Sequence, residues 1–191
     1  MLKIKRLDRY LQKVRISKAV KQFPNNFQTI FDIGCGEGVL YNSVKDQVSH
    51  YHGCDPGLVG SVKSSKKLII SLAFPAALEK FPSLQKYDVV TALAVFEHLD
   101  EEELAEAGSV ISKILSDRGR LVITVPNPIV DYILHVLIWL KMIDGQMTHE
   151  HHGFQPKRLQ TIFAPYLLQI KHQRFQLGLN NLYVFEKAHS A

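Results

Sequence analysis

A chain of 191 residues with 46% hydrophobic and 21% charged side chains can fill one core, and it lacks both the low hydrophobicity and the charge excess of a disordered protein. Its two cysteines, Cys35 and Cys54, exclude the disulfide framework of a small secreted domain, and with no apolar signal core at the N-terminus a reducing cytoplasm is the expected location. The net charge of +5 is local: residues 1–22 hold eight Lys or Arg against Asp8, a segment of +7 that leaves −2 for the rest, so the pI of 9.1 gives no reason to expect a nucleic-acid partner.

The basic segment 1–22 reads as a helix, with Leu7, Leu11 and Val14 recurring at helical spacing between the cations. Residues 28–33 read as a short strand closed by Gly34, Gly36 and Gly38, and a helix is predicted from there to about Val48. Residues 51–54 and 68–71 are two further short strands. The run 87–93, with Val89, Val90, Ala92 and Leu93, suits a strand covered on both faces. Residues 101–116 form the clearest helix: Glu101, Glu102 and Glu103 favour its dipole, and Leu104, Val110, Ile111, Ile114 and Leu115 supply an apolar stripe. Gly119 breaks it, and 120–125 is a fifth strand.

Beyond Pro126 and Pro128 comes an apolar stretch, 129–143, then a polar loop, 144–153, and a helix over about 156–163. Two alternating runs, 168–177 and 181–187, joined at Gly178, Leu179 and Asn180, read as an antiparallel hairpin. Strands alternating with helices and ending in a hairpin imply a three-layer α/β sandwich whose seven-stranded sheet is mostly parallel, with an antiparallel C-terminal hairpin. One domain over 1–191 is expected, with 1–22 as its N-terminal helix and 126–165 as an insertion before the final hairpin.

The stretch Asp32-Ile33-Gly34-Cys35-Gly36-Glu37-Gly38 stands where a strand turns into a helix, and its glycines let backbone approach a ligand closely. A dinucleotide fingerprint needs a third glycine where this chain has Val39, which argues against NAD. Carboxylates such as Asp32 and Glu37 disfavour a pyrophosphate but welcome a ligand that carries an ammonium and a sulfonium. Asp55, 23 residues after Asp32 at the end of the second strand, is placed to hydrogen-bond ribose hydroxyls. The bland alternative is an unoccupied tight turn with Asp55 as a helix cap before Pro56.

DIGCGEG resembles the first motif of class I S-adenosylmethionine (SAM) dependent methyltransferases. HGCDP resembles their second-strand acid motif, and YDVVTALAVFEHL their fourth-strand segment. EHHGFQPKRLQTIF and FQLGLNNLYVFEK are similar to the C-terminal part of a bacterial small-molecule subfamily related to the ubiquinone-biosynthesis enzymes. The resemblance implies a Rossmann-like fold and SAM as cofactor. It makes Asp32 the partner of the methionine amino group, sets Gly34, Cys35 and Gly36 along the methionine moiety, and has Asp55 hold the ribose, followed by Pro56. Leu93 and Ala94 line the methionine side through backbone groups. Where the family often has an acid near the adenine, this chain has Ser71 and Leu72, whose backbone groups are the candidates to read the base edge. Phe74 or Pro56 is left to pack on its face, unless Phe74 is simply core.

Methyl transfer from a sulfonium needs alignment and dryness more than a base. If the acceptor is a hydroxyl, a neutral histidine is the natural proton acceptor, and His98 stands at the sheet edge where such folds keep their ligands. Its alternative role, with Glu97, is to cap and brace the next helix. His151 and His152, in the run His149-Glu150-His151-His152, are read as a solvated loop, as acceptor contacts or bases, or as a metal site. The zinc-protease spacing fails because position 153 is Gly, so no metal is assigned.

The apolar stretch 129–143 is too short to span a bilayer. It is a buried or lid helix, or else a wall for an apolar, lipid-like acceptor or an interfacial helix that cooperates with the basic N-terminus. The basic N-terminal helix either covers the cofactor cleft with its charges solvated or makes peripheral contact with a membrane surface. The expected activity is methylation of a small-molecule or lipid- or glycan-linked acceptor, with oxygen favoured. A SAM-binding regulatory or scaffold protein without catalysis is the second reading, and a nucleotide-sugar or NAD enzyme the third.

Overall fold

The computed structural model describes residues 2–82, 86–127 and 155–187, with side chains from residue 9 onward. The apolar stretch 129–143, the loop 144–153, and His151 and His152 within it lie outside the described residues. In chain order the elements are α1 (Leu2–Val20), β1 (Thr29–Ile33), α2 (Val39–Val44), β2 (His50–Cys54), β3 (Val62–Lys63), β4 (Lys67–Ile70) and β5 (Tyr87–Leu93). They continue with α3 (Glu101–Ile114), β6 (Leu115–Pro126), α4 (Arg158–Phe163), β7 (Leu167–Phe175) and β8 (Asn180–Lys187). Short 3₁₀ turns lie at Ala76–Lys80 and Phe96–His98.

All eight strands form one sheet in the order β3-β4-β2-β1-β5-β6-β8-β7. The neighbours from β4 through β6 are parallel, whereas β3 on β4, and β8 on both β6 and β7, are antiparallel. The seven expected strands are thus present, and the hairpin closes one edge. The eighth, β3, is a two-residue pairing at the opposite edge with both residues exposed.

β1 and β5 are the central strands, and their apolar runs are buried on both faces, as parallel strands between two helical layers must be. On one face Phe31, Val90, Ala92, Leu121 and Ile123 meet Leu104, Ala107 and Ile111 of α3 and Leu159 and Phe163 of α4. On the other, Ile30, Val89, Val122 and Val184 meet Ile16 and Ala19 of α1 and Leu40 and Val44 of α2.

α3 starts where a capping box forms: Asp100 Oδ1 accepts from Glu103 N, and Glu103 Oε2 accepts from Asp100 N, both at 2.9 Å. α1 is tied to the sheet as well as packed on it. Gln22 O accepts from Arg120 Nη1 at 2.9 Å, and Leu11 O accepts from Gln176 Nε2 at 3.1 Å.

Candidate active site

From β1 the chain turns toward β2, and from β5 it turns toward β6, so a crevice opens between the carboxyl ends of these two adjacent strands, where open α/β sheets bind ligands. The glycine loop forms one wall. Gly34 and Cys35 both donate their backbone N–H to Cys54 O, at 2.8 and 3.2 Å, which folds the loop back over the end of β2. Gly34 and Gly36 hold φ of 66° and 51°, conformations that side chains disfavour. A Cβ on Gly34 would strike the Val95 side chain, while one on Gly36 would meet nothing within 4 Å. Gly34 is therefore required by packing, and Gly36 presents bare backbone to open space.

Asp55 clasps this loop. Its Oδ2 accepts from Gly36 N at 2.9 Å and its Oδ1 from Gly57 N at 2.8 Å. A carboxylate has capacity for about four hydrogen bonds, so two positions stay available to ribose hydroxyls.

Asp32 is only 3% exposed. Its Oδ2 accepts from Tyr51 Oη at 2.5 Å and its Oδ1 from Thr91 Oγ1 at 2.6 Å. Burial pushes its carboxyl up to about 6, against the pull of those two hydroxyls, with the Asp55 charge adding to the rise. The expected salt link to a ligand ammonium must share these oxygens with Tyr51 and Thr91.

Facing Asp32, Gly34, Cys35 and Leu93 across a small cavity are Gln12, Arg15 and Ile16 of α1. Arg15 Nε is buried without a hydrogen-bond partner, and so is Glu97 Oε2, in the turn after β5. Burial lowers the Arg15 pKa while Glu97 raises it; burial pushes Glu97, 4% exposed, up to about 7 against the pull of Arg15. Arg15 lines the cavity, so its unused Nε atom is costly unless a ligand completes it. The carboxylate of an amino-acid tail supplies that complement.

The other expected residues spread along the same edge. Ala94 follows Leu93 with φ 62° and donates its N–H to Thr124 O at 2.8 Å. His98 is exposed at the end of its 3₁₀ turn. Pro56 is exposed after Asp55. Ser71 Oγ donates to Leu58 O at 2.6 Å, Leu72 is 38% exposed, and Phe74 packs against the core near Phe31. Cys35 and Cys54 are both free, and burial raises both thiols, Cys54 to about 12, so neither is a ready nucleophile.

Arg15, Glu97, Tyr51 and Thr91 are site groups that the motif reading missed. A signal for Arg15 was present: it stands beside Ile16 and four residues before Ala19, both buried, so one cation falls next to the packed face of α1.

The fold and this crevice define a Rossmann-like nucleotide-cofactor enzyme of the class I methyltransferase kind. A family model described as a methyltransferase domain matches residues 5–173, and the chain belongs to that family, with SAM as the methyl donor. Among curated proteins it is similar to a small RNA 2'-O-methyltransferase of Arabidopsis thaliana, 26% identical over 133 residues; the match takes in 61% of this chain but 14% of the plant protein's length.

Among solved structures it is similar to the N-methyltransferase NodS from Bradyrhizobium japonicum WM9, with TM-score 0.63 and 13% identity over 96% of this chain and 97% of that one. It is also similar to the magnesium protoporphyrin IX methyltransferase of Synechocystis PCC 6803, solved with bound S-adenosylhomocysteine. There the TM-score is 0.62 and the identity 14%, over 94% and 83% of the two chains. The residues present fit the cofactor: Gly36 leaves room where a Cβ would stand, and the unused Arg15 Nε belongs to a residue that lines the cavity.

Proposed function

We propose that the chain, as one domain over residues 1–191, methylates an oxygen atom of a small-molecule or lipid- or glycan-linked acceptor in the cytoplasm. The observation that carries the cofactor part is the incompletely satisfied Arg15 guanidinium in the cavity that Asp32 and Gly34 line. In this reading Arg15 takes the methionine carboxylate and Asp32 the ammonium, while Glu97 holds Arg15 in place. Asp55 takes the ribose diol, and backbone at Ser71 and Leu72 reads the adenine edge.

The cofactor supplies an electrophilic methyl group on its sulfonium. Leu93 and Ala94 hold the crevice wall beside it, and burial by α1 keeps water out of the tail subsite. Fixing donor and acceptor in line contributes on the order of 7–11 kcal/mol to lowering the barrier. His98, exposed at the carboxyl edge, accepts the hydroxyl proton as the oxygen is methylated. The preference for oxygen rests on His98 alone.

The test is transfer from methyl-labelled SAM to fractionated metabolite extract, with the labelled product characterised. An O-methyl product, formed more slowly by H98N while S-adenosylhomocysteine affinity is unchanged, supports the reading. A product methylated on nitrogen or carbon, or transfer indifferent to H98N, overturns it.

A further inference from the structure

A second cleft, of about 310 Å3, opens where β6 ends, on the side of the sheet that α4 covers. Asn127, Lys157, His172, Arg174, Asn181 and Tyr183 line it, and none of them lines the cofactor cavity. Its inner wall is rigid. The His172 ring stacks on Tyr183 with centroids 4.3 Å apart and planes 6° from parallel, and His172 Nε2 lies 3.0 Å from Oδ1 of Asn181, itself 4% exposed.

Its charge is one-sided among the described residues, where two permanent cations and a histidine contribute to the lining and no carboxylate does. Arg158, next to Lys157 in the chain, is paired with Glu101. Neither Lys157 nor Arg174 has an ion-pair partner among the described residues. A concave surface with one sign of charge and fixed amide groups concentrates anions. Arg174 adds the planar fork that suits a bidentate oxyanion.

We infer that this cleft binds an oxyanionic group, phosphate or carboxylate, of the methyl acceptor. Its position supports an acceptor: it lies on the carboxyl edge two strands from β5, and Asn127 and Gln155, which bracket residues 128–154 in the sequence, both line it. The word acceptor rests on the methyltransferase reading above; the affinity for an oxyanion does not.

The experiment titrates ¹⁵N-labelled protein with inorganic phosphate, pyrophosphate and malonate, with and without saturating S-adenosylhomocysteine. Saturable amide shifts are expected at Asn127, Lys157, Arg174 and Asn181. The K157Q/R174Q double variant should raise the anion Kd about tenfold or more, while K63Q at the far sheet edge leaves it unchanged. Tighter phosphate or pyrophosphate binding identifies a phosphoryl group, and tighter malonate binding a carboxylate. Unaltered S-adenosylhomocysteine affinity in the double variant shows that the fold is kept. The inference is overturned if no anion gives saturable shifts, or if the shifts ignore the double substitution. Anion binding by a protein that fails to bind S-adenosylhomocysteine keeps the oxyanion site and removes its assignment to an acceptor.

Discussion

Arg15 sits on a helix whose cations Arg9 and Lys13 are exposed, yet its Nε is buried and lacks a hydrogen-bond partner, on a residue that lines the cavity. A charge-assisted hydrogen bond to a ligand carboxylate is worth about 1.5–3 kcal/mol. R15M should therefore weaken S-adenosylhomocysteine binding by about ten- to hundredfold. 5′-Methylthioadenosine, which has the same nucleoside and thioether but no amino-acid tail, should bind both proteins alike. Equal losses for the two ligands would mean that Arg15 only supports the fold.

Glu97 and Asp32 give a pH signature. Both have folded pKa values raised by burial, to about 7 and about 6 from 4.5 and 3.8, so the native state holds protons that the unfolded state has released. Stability is then greatest below the unfolded values and falls as pH rises through the folded ones, between about pH 4 and pH 7. His52, lowered by burial to about 4, acts in the opposite direction below about pH 6.5, so the signature is a difference: in chemical denaturation of ligand-free protein, wild type should lose stability relative to E97Q as pH rises from 5 to 7. A wild-type curve that gains on E97Q over that range contradicts the assignment.

At this scale the motif residues were legible because glycine and acid spacing is a local property: Asp32, Gly34, Cys35 and Leu93 do line one cavity, and Gly36 and Asp55 are hydrogen-bonded. Arg15 and Glu97 were not, because their meaning arises only when α1 closes over the end of β5.

Among the elements, the entry into β1 depends on a carboxylate from β5. Asp88 Oδ2 accepts from Gln28 N, Thr29 N and Thr29 Oγ1 at 2.8, 3.0 and 2.9 Å, and Oδ1 accepts from Ser116 Oγ at 3.2 Å. This brace ties the ends of β1 and β6 to β5, opposite the edge that carries the glycine loop. D88A should cost about 2 kcal/mol of stability in urea unfolding while changing S-adenosylhomocysteine affinity less than about twofold. A large loss of affinity at unchanged stability would mean that the brace sets the site geometry directly.

The strands were readable where both faces are apolar or where side chains alternate, which covers all but β3. Val62 and Lys63 have too short a run to show a period, and they pair only because β4 leaves an edge open. β6 begins at Leu115, earlier than the glycine break suggested. Leu115 pairs with Tyr87, and the register then shifts so that Val89 faces Arg120, with Ser116–Gly119 looped out and Arg118 at φ 62°. α2 stops at Val44 rather than near Val48, although Val48 N still donates to Val44 O at 3.1 Å.

For the whole molecule, eight strands in one sheet bring residues from both ends of the chain to a single edge. α1 closes the crevice from one face while β8, inserted antiparallel between β6 and β7, sets the second cleft beside it. The alternation of strands and helices foretold a mostly parallel sheet with an antiparallel hairpin, which follows from connection rules, but not the order of the strands. The amino-acid pattern is silent on which atoms the crevice leaves unsatisfied.

Phe31 is fully buried at the centre, its ring 5.2 Å from those of Phe81 and Tyr87. F31A should cost about 3–5 kcal/mol and lower Tm in both the presence and absence of S-adenosylhomocysteine, as calorimetry can check. The most direct measurement is a crystal structure of the protein grown with S-adenosylhomocysteine. The ligand should lie across the carboxyl ends of β1, β2 and β5, its carboxylate on Arg15 and its ribose on Asp55, with the sulfur facing the side of β6. Density for the ligand anywhere else, or a ribose turned away from Asp55, would contradict the site described.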